Sequence, residues 1–252
     1  MKDGLRVLVT GASAGLGEEY VRQLAPRCRE IVVVARREDR LASLARELAQ
    51  HCELKLIVAD LVSQEGQARV VEAIRQGEAL DLLINNAGFS TFGLFAQSDL
   101  DQEIAMLHLH QDATLALTRA ALPAMIERGR GAVINVASIG GLVGMPGVAG
   151  YGATKSFLVS FSRSLRAELR ATGVSVQCLC PGYTRTEIHS RDTFQGFDVN
   201  RVPEAMWMES QDVVSESLAA LEDADKRWLV IPGKHNRELV RGAIDELREA
   251  VI

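Results

Sequence analysis

The stretch of residues 10–17, which reads TGASAGLG, decides the fold of this chain. It directly follows a short apolar run, Leu5–Thr10, and it precedes a segment with the apolar spacing of a helix. Glycines serve where a chain must turn tightly and where its backbone must approach a ligand closely. The helix that follows such a turn presents free N–H groups to an anion. We therefore predict a phosphate-binding turn after the first strand, with plain tight packing as the alternative reason for the glycines.

Short β-branched runs alternate with longer segments of helical period along the rest of the chain. The predicted strands span residues 5–10, 31–35, 54–60, 82–85, 132–138, 174–180 and 228–231. The predicted helices span residues 17–25, 40–50, 64–75, 101–128, 153–171, 212–222 and 237–249. Most of the strands are nearly continuous apolar runs, which is typical of a parallel sheet covered on both faces. We predict one α/β domain over residues 1–252.

Composition excludes several classes of function. The 252 residues are 47% hydrophobic and carry a formal net charge of -5, so the chain offers no basic field for nucleic acid. No uninterrupted apolar stretch reaches the roughly 18 residues of a membrane span, and no secretory signal precedes the first strand. The four cysteines show no zinc or disulfide pattern. We expect a soluble, cytoplasmic protein with no metal site and no nucleic-acid or membrane partner.

Two cations end the second predicted strand, Arg36 and Arg37. A dinucleotide fold that prefers NAD usually has a carboxylate here, which bonds the ribose 2′-hydroxyl. A guanidinium can instead hold a 2′-phosphate through paired, charge-assisted hydrogen bonds. The pair therefore favours NADP over NAD, and a solvated arginine pair at a helix start is the alternative. An NAD-dependent dehydrogenase remains a competing hypothesis that these cations oppose.

A second group of candidate functional residues follows the fourth and fifth strands. The fourth strand runs into the sequence NNAG at residues 85–88, and Ser138 comes after the fifth. Tyr151 and Lys155 are four residues apart, so they share one face of a helix. An adjacent ammonium favours a phenolate, so we expect Lys155 to lower the pKa of Tyr151 and make it a proton donor to a carbonyl. A half-buried tyrosine beside a surface lysine is the usual meaning of this spacing by itself.

The combination of motifs is more specific than any one of them. The glycine turn, NNAG, a serine thirteen residues before the tyrosine, YxxxK, and Pro181-Gly182 followed by Thr186 occur in one order on matching elements. In this, the sequence resembles the short-chain dehydrogenase/reductase family over essentially its whole length. The closing segment VIPGK at residues 230–234 is similar to an NADP-preferring, ketoreductase-like branch.

The resemblance implies a Rossmann-type, doubly wound sheet of order 3-2-1-4-5-6-7, NADP(H) as cofactor, and a homodimer or homotetramer. It implies that Ser138 orients the substrate oxygen, that Tyr151 passes the proton, and that Lys155 holds the nicotinamide ribose. It implies that the cofactor is bound by Gly11, Ser13, Gly15, Leu16, Gly17, Arg36, Arg37, Asp60, Leu61, Asn86, Ala87, Gly88, Tyr151, Lys155, Pro181, Gly182, Thr184 and Thr186.

One position departs from the family pattern. His110 stands where the family usually has an asparagine, at a helix irregularity whose backbone carbonyl holds a relay water. One hypothesis is that the imidazole joins or replaces the relay, since its unperturbed pKa of about 6.5 suits proton passage. Another is that the relay survives through the backbone while His110 packs. A third is that the change marks a cofactor-binding sensor with little turnover, which is our alternative function.

The substrate side is predicted from apolar residues around the cleft. Phe89, Phe92 and Phe95 follow the fourth strand, and residues 187–210 hold further large apolar side chains without a steady period. We predict that residues 187–210 form a mobile flap over the site, with a surface insertion as the alternative. An apolar ketone is the expected substrate, although these rings could equally fill a core or an interface. The last segment, 234–252, is predicted to be an amphipathic helix packed on its own domain.

Overall fold

The computed structural model describes residues 4–190, 192–194, 196–223 and 227–251. In these ranges seven parallel strands form one sheet in the order β3-β2-β1-β4-β5-β6-β7, which confirms the predicted fold and order. The strands are β1 Leu5–Thr10, β2 Cys28–Ala35, β3 Glu53–Val58, β4 Leu82–Asn85, β5 Gly131–Val136, β6 Val174–Leu179 and β7 Leu229–Val230.

Helices connect these strands. They are α1 Gly15–Leu24, α2 Glu38–Leu48, α3 Gln64–Gln76, α4 Leu100–Leu107, α5 Ala113–Glu127, α6 Ala149–Glu168, α7 Ser210–Glu222 and α8 Lys234–Ala250. The predicted helix over 101–128 is in fact two helices, because a π turn, His108–Asp112, separates α4 from α5. No helix in the described ranges combines the length and the apolar character needed to cross a membrane.

The core lies on both faces of the sheet. Val7 and Val9 of β1 point to the face covered by α1, α2 and α7, whereas Leu8 between them points to the face covered by α3, α5 and α6. All six residues of β1 are buried, which explains why this strand reads as a continuous apolar run.

A buried row of hydrogen-bonded polar side chains links the centre of the sheet to the face covered by α3, α5 and α6. The Asn85 side-chain amide donates to Thr118 Oγ1 at 3.0 Å and to Asn135 Oδ1 at 2.9 Å. Asn135 in turn donates to Ser162 Oγ at 2.9 Å. These hydrogen bonds connect β4 and β5 to α5 and α6. The carboxyl ends of the two strands are therefore fixed relative to α6, the helix that bears Tyr151.

The strand order reverses between β1 and β4, which are neighbours in the sheet. In open parallel sheets, ligands bind at the carboxyl ends of the strands beside such a reversal. Four strands end one or two residues earlier than predicted, at Val58, Val136, Leu179 and Val230. The residues just beyond them, including Asp60 and Ser138, therefore lie in loops at this edge.

Candidate active site

The glycine turn has the geometry of an anion cradle. Gly11 and Gly15 have φ angles of 68° and 56°, which favour glycine. Helix α1 begins at Gly15, and its N-cap residue Ala14 makes no side-chain capping bond. The first N–H groups of α1 are thus left for a ligand, and the turn fits the pyrophosphate of a dinucleotide.

The loop after β4 is bonded to this turn. Thr10 Oγ1 accepts hydrogen bonds from the backbone N–H groups of Asn86, at 2.9 Å, and Ala87, at 3.0 Å. The Asn86 side-chain amide donates to the carbonyl oxygen of Thr10 at 2.8 Å. Asn86 therefore holds the two loops together at the point where β1 and β4 end.

One cleft of about 500 Å³ unites the two predicted groups of residues. Of the predicted cofactor residues, it is lined by Gly11, Ser13, Gly15, Leu16, Arg36, Arg37, Asp60, Leu61, Asn86, Ala87, Gly88, Tyr151, Lys155, Pro181, Gly182, Thr184 and Thr186. Gly17 is the exception and does not line the cleft. A methyl group there would lie 2.3 Å from the carbonyl oxygen of Gly11, so this glycine permits the turn to pack against α1.

The two arginines have different surroundings at the mouth of the cleft. Arg37 donates to the Ser13 hydroxyl at 3.2 Å and to the Ser13 carbonyl oxygen at 3.1 Å, and it pairs with Glu187 at 2.9 Å. The Arg36 side chain is 65% exposed, with Asp60 at 4.0 Å. Arg36 is therefore the more available cation, while Arg37 joins the glycine turn to residue 187. Sequence reasoning missed this role of Glu187, because nothing near it in the chain indicates a contact with Arg37.

Ser138, Tyr151 and Lys155 lie together on one wall of the cleft. The Ser138 hydroxyl is near enough to the Tyr151 phenol to favour the phenolate form by hydrogen bonding, and it accepts a hydrogen bond from the backbone N–H of Gly140 at 3.0 Å. The Lys155 Nζ lies 5.5 Å from the centre of the Tyr151 ring and donates to the carbonyl oxygen of Val136 at 2.9 Å. The end of β5 thus supplies both the serine and the carbonyl that holds the lysine.

Burial dominates the electrostatics of this wall. It raises the pKa of Tyr151 to about 12, against the opposing effect of the Ser138 hydrogen bond. It lowers the pKa of Lys155 to about 8. The pKa of Tyr151 is thus raised where the sequence predicted a lowering by Lys155, because burial disfavours the phenolate more than the Ser138 side chain favours it. The phenol is protonated at neutral pH, as a proton donor must be.

His110 lies beneath the cleft and does not line it. It is 1% exposed and sits within the π turn, so the expected helix irregularity is present. Its Nδ1 is 2.8 Å from Thr154 Oγ1, and its ring centre is 6.0 Å from that of Tyr151. Its Nε2 is buried without a hydrogen-bond partner among the described protein atoms.

Four phenylalanine rings also line the cleft. Phe89, Phe92, Phe194 and Phe197 line it, and the rings of the last three are 4.9–5.4 Å apart. The Phe92 N–H donates to the carbonyl oxygen of Thr193 at 3.2 Å, which joins residue 92 to the segment after β6. The described part of residues 187–206 contains four short 3₁₀ turns joined by irregular backbone. Residues 191 and 195 of the predicted flap lie outside the described ranges, as does residue 252 of the predicted last helix.

Phe95, by contrast, is 61% exposed and lies outside the cleft, as do Met206, Trp207 and Met208. The described residues contain no cluster of three or more His, Cys, Asp or Glu side chains that could hold a metal ion.

Residues 6–195 match the family model for the short chain dehydrogenases. The chain belongs to this family. Short chain dehydrogenases are oxidoreductases that bind a nicotinamide cofactor. A very-long-chain 3-oxoacyl-CoA reductase from Anas platyrhynchos is 32% identical over 191 residues, which cover 73% of this chain and 61% of that relative.

Two solved structures are similar over nearly the full length. One, a short-chain dehydrogenase from Sphingobium yanoikuyae in complex with NADPH, is 33% identical with a TM-score of 0.86, and the match covers 98% of this chain and 96% of that one. The other, the bulky-bulky ketone specific alcohol dehydrogenase from Comamonas testosteroni, is 28% identical with a TM-score of 0.82, over 100% and 96% of the two chains.

Sequence reasoning about this short chain dehydrogenase missed the residues that narrow its cleft. Met145, Pro146 and Val148 enter from the loop between Ser138 and Tyr151, and Tyr183 from the loop after β6. The apolar sequence GMPGV at residues 144–148 was the available signal, since an apolar loop at the carboxyl end of a parallel strand indicates a binding wall.

Proposed function

We propose that this chain is an NADP(H)-dependent oxidoreductase that interconverts an apolar ketone and its secondary alcohol. The single observation that carries the proposal is the meeting of Ser138, Tyr151 and Lys155 in the same cleft as the glycine turn. The stability of the fold does not require the glycine turn and these three side chains to share a cleft. Reduction of a carbonyl does, because it needs both a dinucleotide and a proton donor.

The chain's residues divide the cofactor-binding work along the cleft. The turn at Gly11 and Gly15 and the start of α1 would hold the pyrophosphate, Asp60 and Leu61 would border the adenine, and Lys155 would bond the nicotinamide ribose. When bound, the nicotinamide supplies or accepts the hydride. Pro181 and Thr186 would border its carboxamide side and fix which face of the ring meets the substrate.

The wall opposite supplies the proton. Ser138 and Tyr151 would both donate hydrogen bonds to the substrate oxygen, which polarises the carbonyl and positions it. In reduction, Tyr151 gives its proton to that oxygen, and the nearby Lys155 ammonium stabilises the phenolate left behind. In oxidation, the same phenolate takes the proton of the alcohol.

Arg36 supports NADP as the cofactor. Its guanidinium is exposed at the end of β2, where a 2′-phosphate would lie, and its nearest carboxylate, Asp60, is 4.0 Å away. The Sphingobium yanoikuyae relative in complex with NADPH agrees with this assignment.

The aromatic rings support an apolar substrate. Phe92, Phe194 and Phe197 offer ring faces and edges at the end of the cleft beyond Tyr151. The relative specific for bulky-bulky ketones and the relative named as a 3-oxoacyl-CoA reductase agree with a carbonyl that bears large apolar groups.

We extend the proposal to a cytoplasmic homodimer or homotetramer. Leu100, Ile104 and Leu107 of α4 are 65%, 39% and 39% exposed, and their spacing puts them on one helix face. The four cysteines are free thiols, as is usual in a reducing compartment.

The experiment is a ketone panel assayed with NADPH and with NADH. The panel runs from small ketones to acyl-chain and steroid ketones, and the proteins are wild type, Arg36→Asp and Arg40→Asp. Arg40 is exposed and does not line the cleft, so its variant carries the same charge change away from the site. We expect turnover that favours NADPH and the larger ketones, and a loss of NADPH preference of roughly tenfold or more in Arg36→Asp alone.

Equal loss of both cofactors in Arg36→Asp would contradict the 2′-phosphate assignment. Binding of NADPH without turnover of any ketone would favour the alternative function, a cofactor sensor.

A further inference from the structure

A buried imidazole lies under the catalytic wall, and its hydrogen bonds determine its tautomer. The Thr154 hydroxyl is 2.8 Å from the carbonyl oxygen of Tyr151 and 2.8 Å from His110 Nδ1. A carbonyl oxygen only accepts, so the single hydroxyl hydrogen must lie between Thr154 and Tyr151. His110 Nδ1 must then donate to Thr154, since otherwise no hydrogen would lie between them. The other ring nitrogen, Nε2, is left with a bare lone pair.

The lone pair faces the space beside Lys155. A methyl group on Gly88 would lie 2.6 Å from His110 Nε2 and 3.6 Å from Lys155 Nζ, so both nitrogens border the space above this glycine. The Lys155 ammonium has three N–H groups, and the bond to the carbonyl oxygen of Val136 uses one of them. A buried acceptor and a buried donor with bonds still to make therefore lie on either side of Gly88.

We propose that His110 is a positioning residue for Lys155: Thr154 holds its Nδ1–H, and its Nε2 accepts a hydrogen bond from the Lys155 ammonium through one bridging water. The inference deepens the proposed function and rests on it, because it concerns the charge that stabilises the Tyr151 phenolate. It differs from both hypotheses that the sequence left open for an active enzyme, because the ring contacts Lys155 through water but passes no proton.

The ring is an acceptor and carries no proton through itself. A proton taken at Nε2 would have to leave from Nδ1 to Thr154, whose own hydrogen is directed at the Tyr151 carbonyl, where no base continues the path. Burial, together with the nearby Lys155 charge, lowers the pKa of His110 well below its usual value, so the ring stays neutral at physiological pH. A neutral imidazole attracts the ammonium where an imidazolium would repel it.

The groups that face Lys155 come from three elements. Tyr151 lies on its own helix, His110 on the π turn, and Cys178 and Cys180 in β6 and just after it. Cys178 and, to a smaller extent, Cys180 favour the charged form of Lys155. The His110 acceptor adds to their effect on the side of the ammonium that borders Gly88.

The direct test is the titration of Lys155 by ¹³Cε NMR in the full chain without cofactor. The variants are His110→Leu, which removes the acceptor, and His110→Gln, whose amide oxygen can reach the position of Nε2. We expect the pKa of Lys155 to fall by about one pH unit in His110→Leu and to stay near the wild-type value in His110→Gln. An unchanged pKa in His110→Leu, or a raised one, would overturn the proposal, because a rise would mean that the ring is charged.

A wild-type measurement covers the case in which His110→Leu fails to fold. The ¹⁵N shifts of the imidazole at pH 7 should report a neutral ring protonated at Nδ1, and a proton on Nε2 would overturn the proposal. In assays of ketone reduction, the loss of kcat at high pH should begin about one unit earlier in His110→Leu and be restored in His110→Gln. Because neither NMR measurement depends on turnover, failure of the proposed function is distinguishable from failure of this inference.

Discussion

Burial of the Lys155 ammonium lowers the stability of the fold. Its side chain is 4% exposed, and burial lowers its pKa to about 8, against 10.5 for the free group. Below pH 8 the folded chain must keep this ammonium out of water, whereas the unfolded chain does not. This loss of unfolding free energy is present in full at neutral pH. It disappears as the pH rises from 8 to 10.5, because in that range the folded chain has released the proton while the unfolded chain still holds it.

We predict that Lys155→Met raises the free energy of unfolding by about 2 kcal/mol at pH 7 and abolishes turnover. The gain should shrink as the pH approaches 10.5, because wild-type Lys155 becomes neutral in the folded state. Urea unfolding at pH 7 and 10 measures both values, with Lys234→Met as the control, since Lys234 is 87% exposed. A variant less stable than wild type at pH 7 would show that the Val136 hydrogen bond outweighs the burial of the charge.

At the scale of elements, the π turn shows what periodicity cannot resolve. Apolar spacing runs through residues 101–128 with little interruption, so the sequence predicts one helix. The extra residue of a π turn rotates the following helix face by roughly 100°, or about one helical position. The pattern hides this rotation, because α5 also carries apolar side chains on its exposed side, including Leu115 and Ile126. Only the departure at His110 indicated an irregularity there, and that signal came through resemblance.

The segment after β6 remains a predicted flap, and its aromatic rings supply the test. Phe194→Ala combined with Phe197→Ala removes the rings that meet Phe92 in the cleft. We expect KM for bulky ketones to rise roughly tenfold while the Kd for NADPH changes little, because the rings lie beyond the nicotinamide end. Phe95→Ala is the matched control, since that ring is exposed outside the cleft. Equal weakening of cofactor and ketone would contradict the assignment.

For the whole molecule, the sequence predicted the features that follow from the order of its strands, helices and motifs. Strand order and the meeting of Ser138 with Tyr151 follow from motifs placed at the ends of successive parallel strands. Contacts between distant loops were not predictable, because they depend on how helices pack. The pairing of Arg37 with Glu187 and the bond between His110 and Thr154 are of this kind. The pKa of Tyr151 was missed for the same reason, since burial is a property of the folded chain.

The most direct test of the mechanism uses NADPH that carries deuterium at both nicotinamide C4 positions and follows the label into the product of the best ketone. Wild type should place the label on the new carbinol carbon. Tyr151→Phe should still bind NADPH while label transfer falls by roughly a hundredfold or more, because the carbonyl then lacks its proton donor. Label transfer that survives in Tyr151→Phe at the wild-type rate would contradict the assignment of Tyr151 as the acid, and with it the mechanism proposed for this cleft.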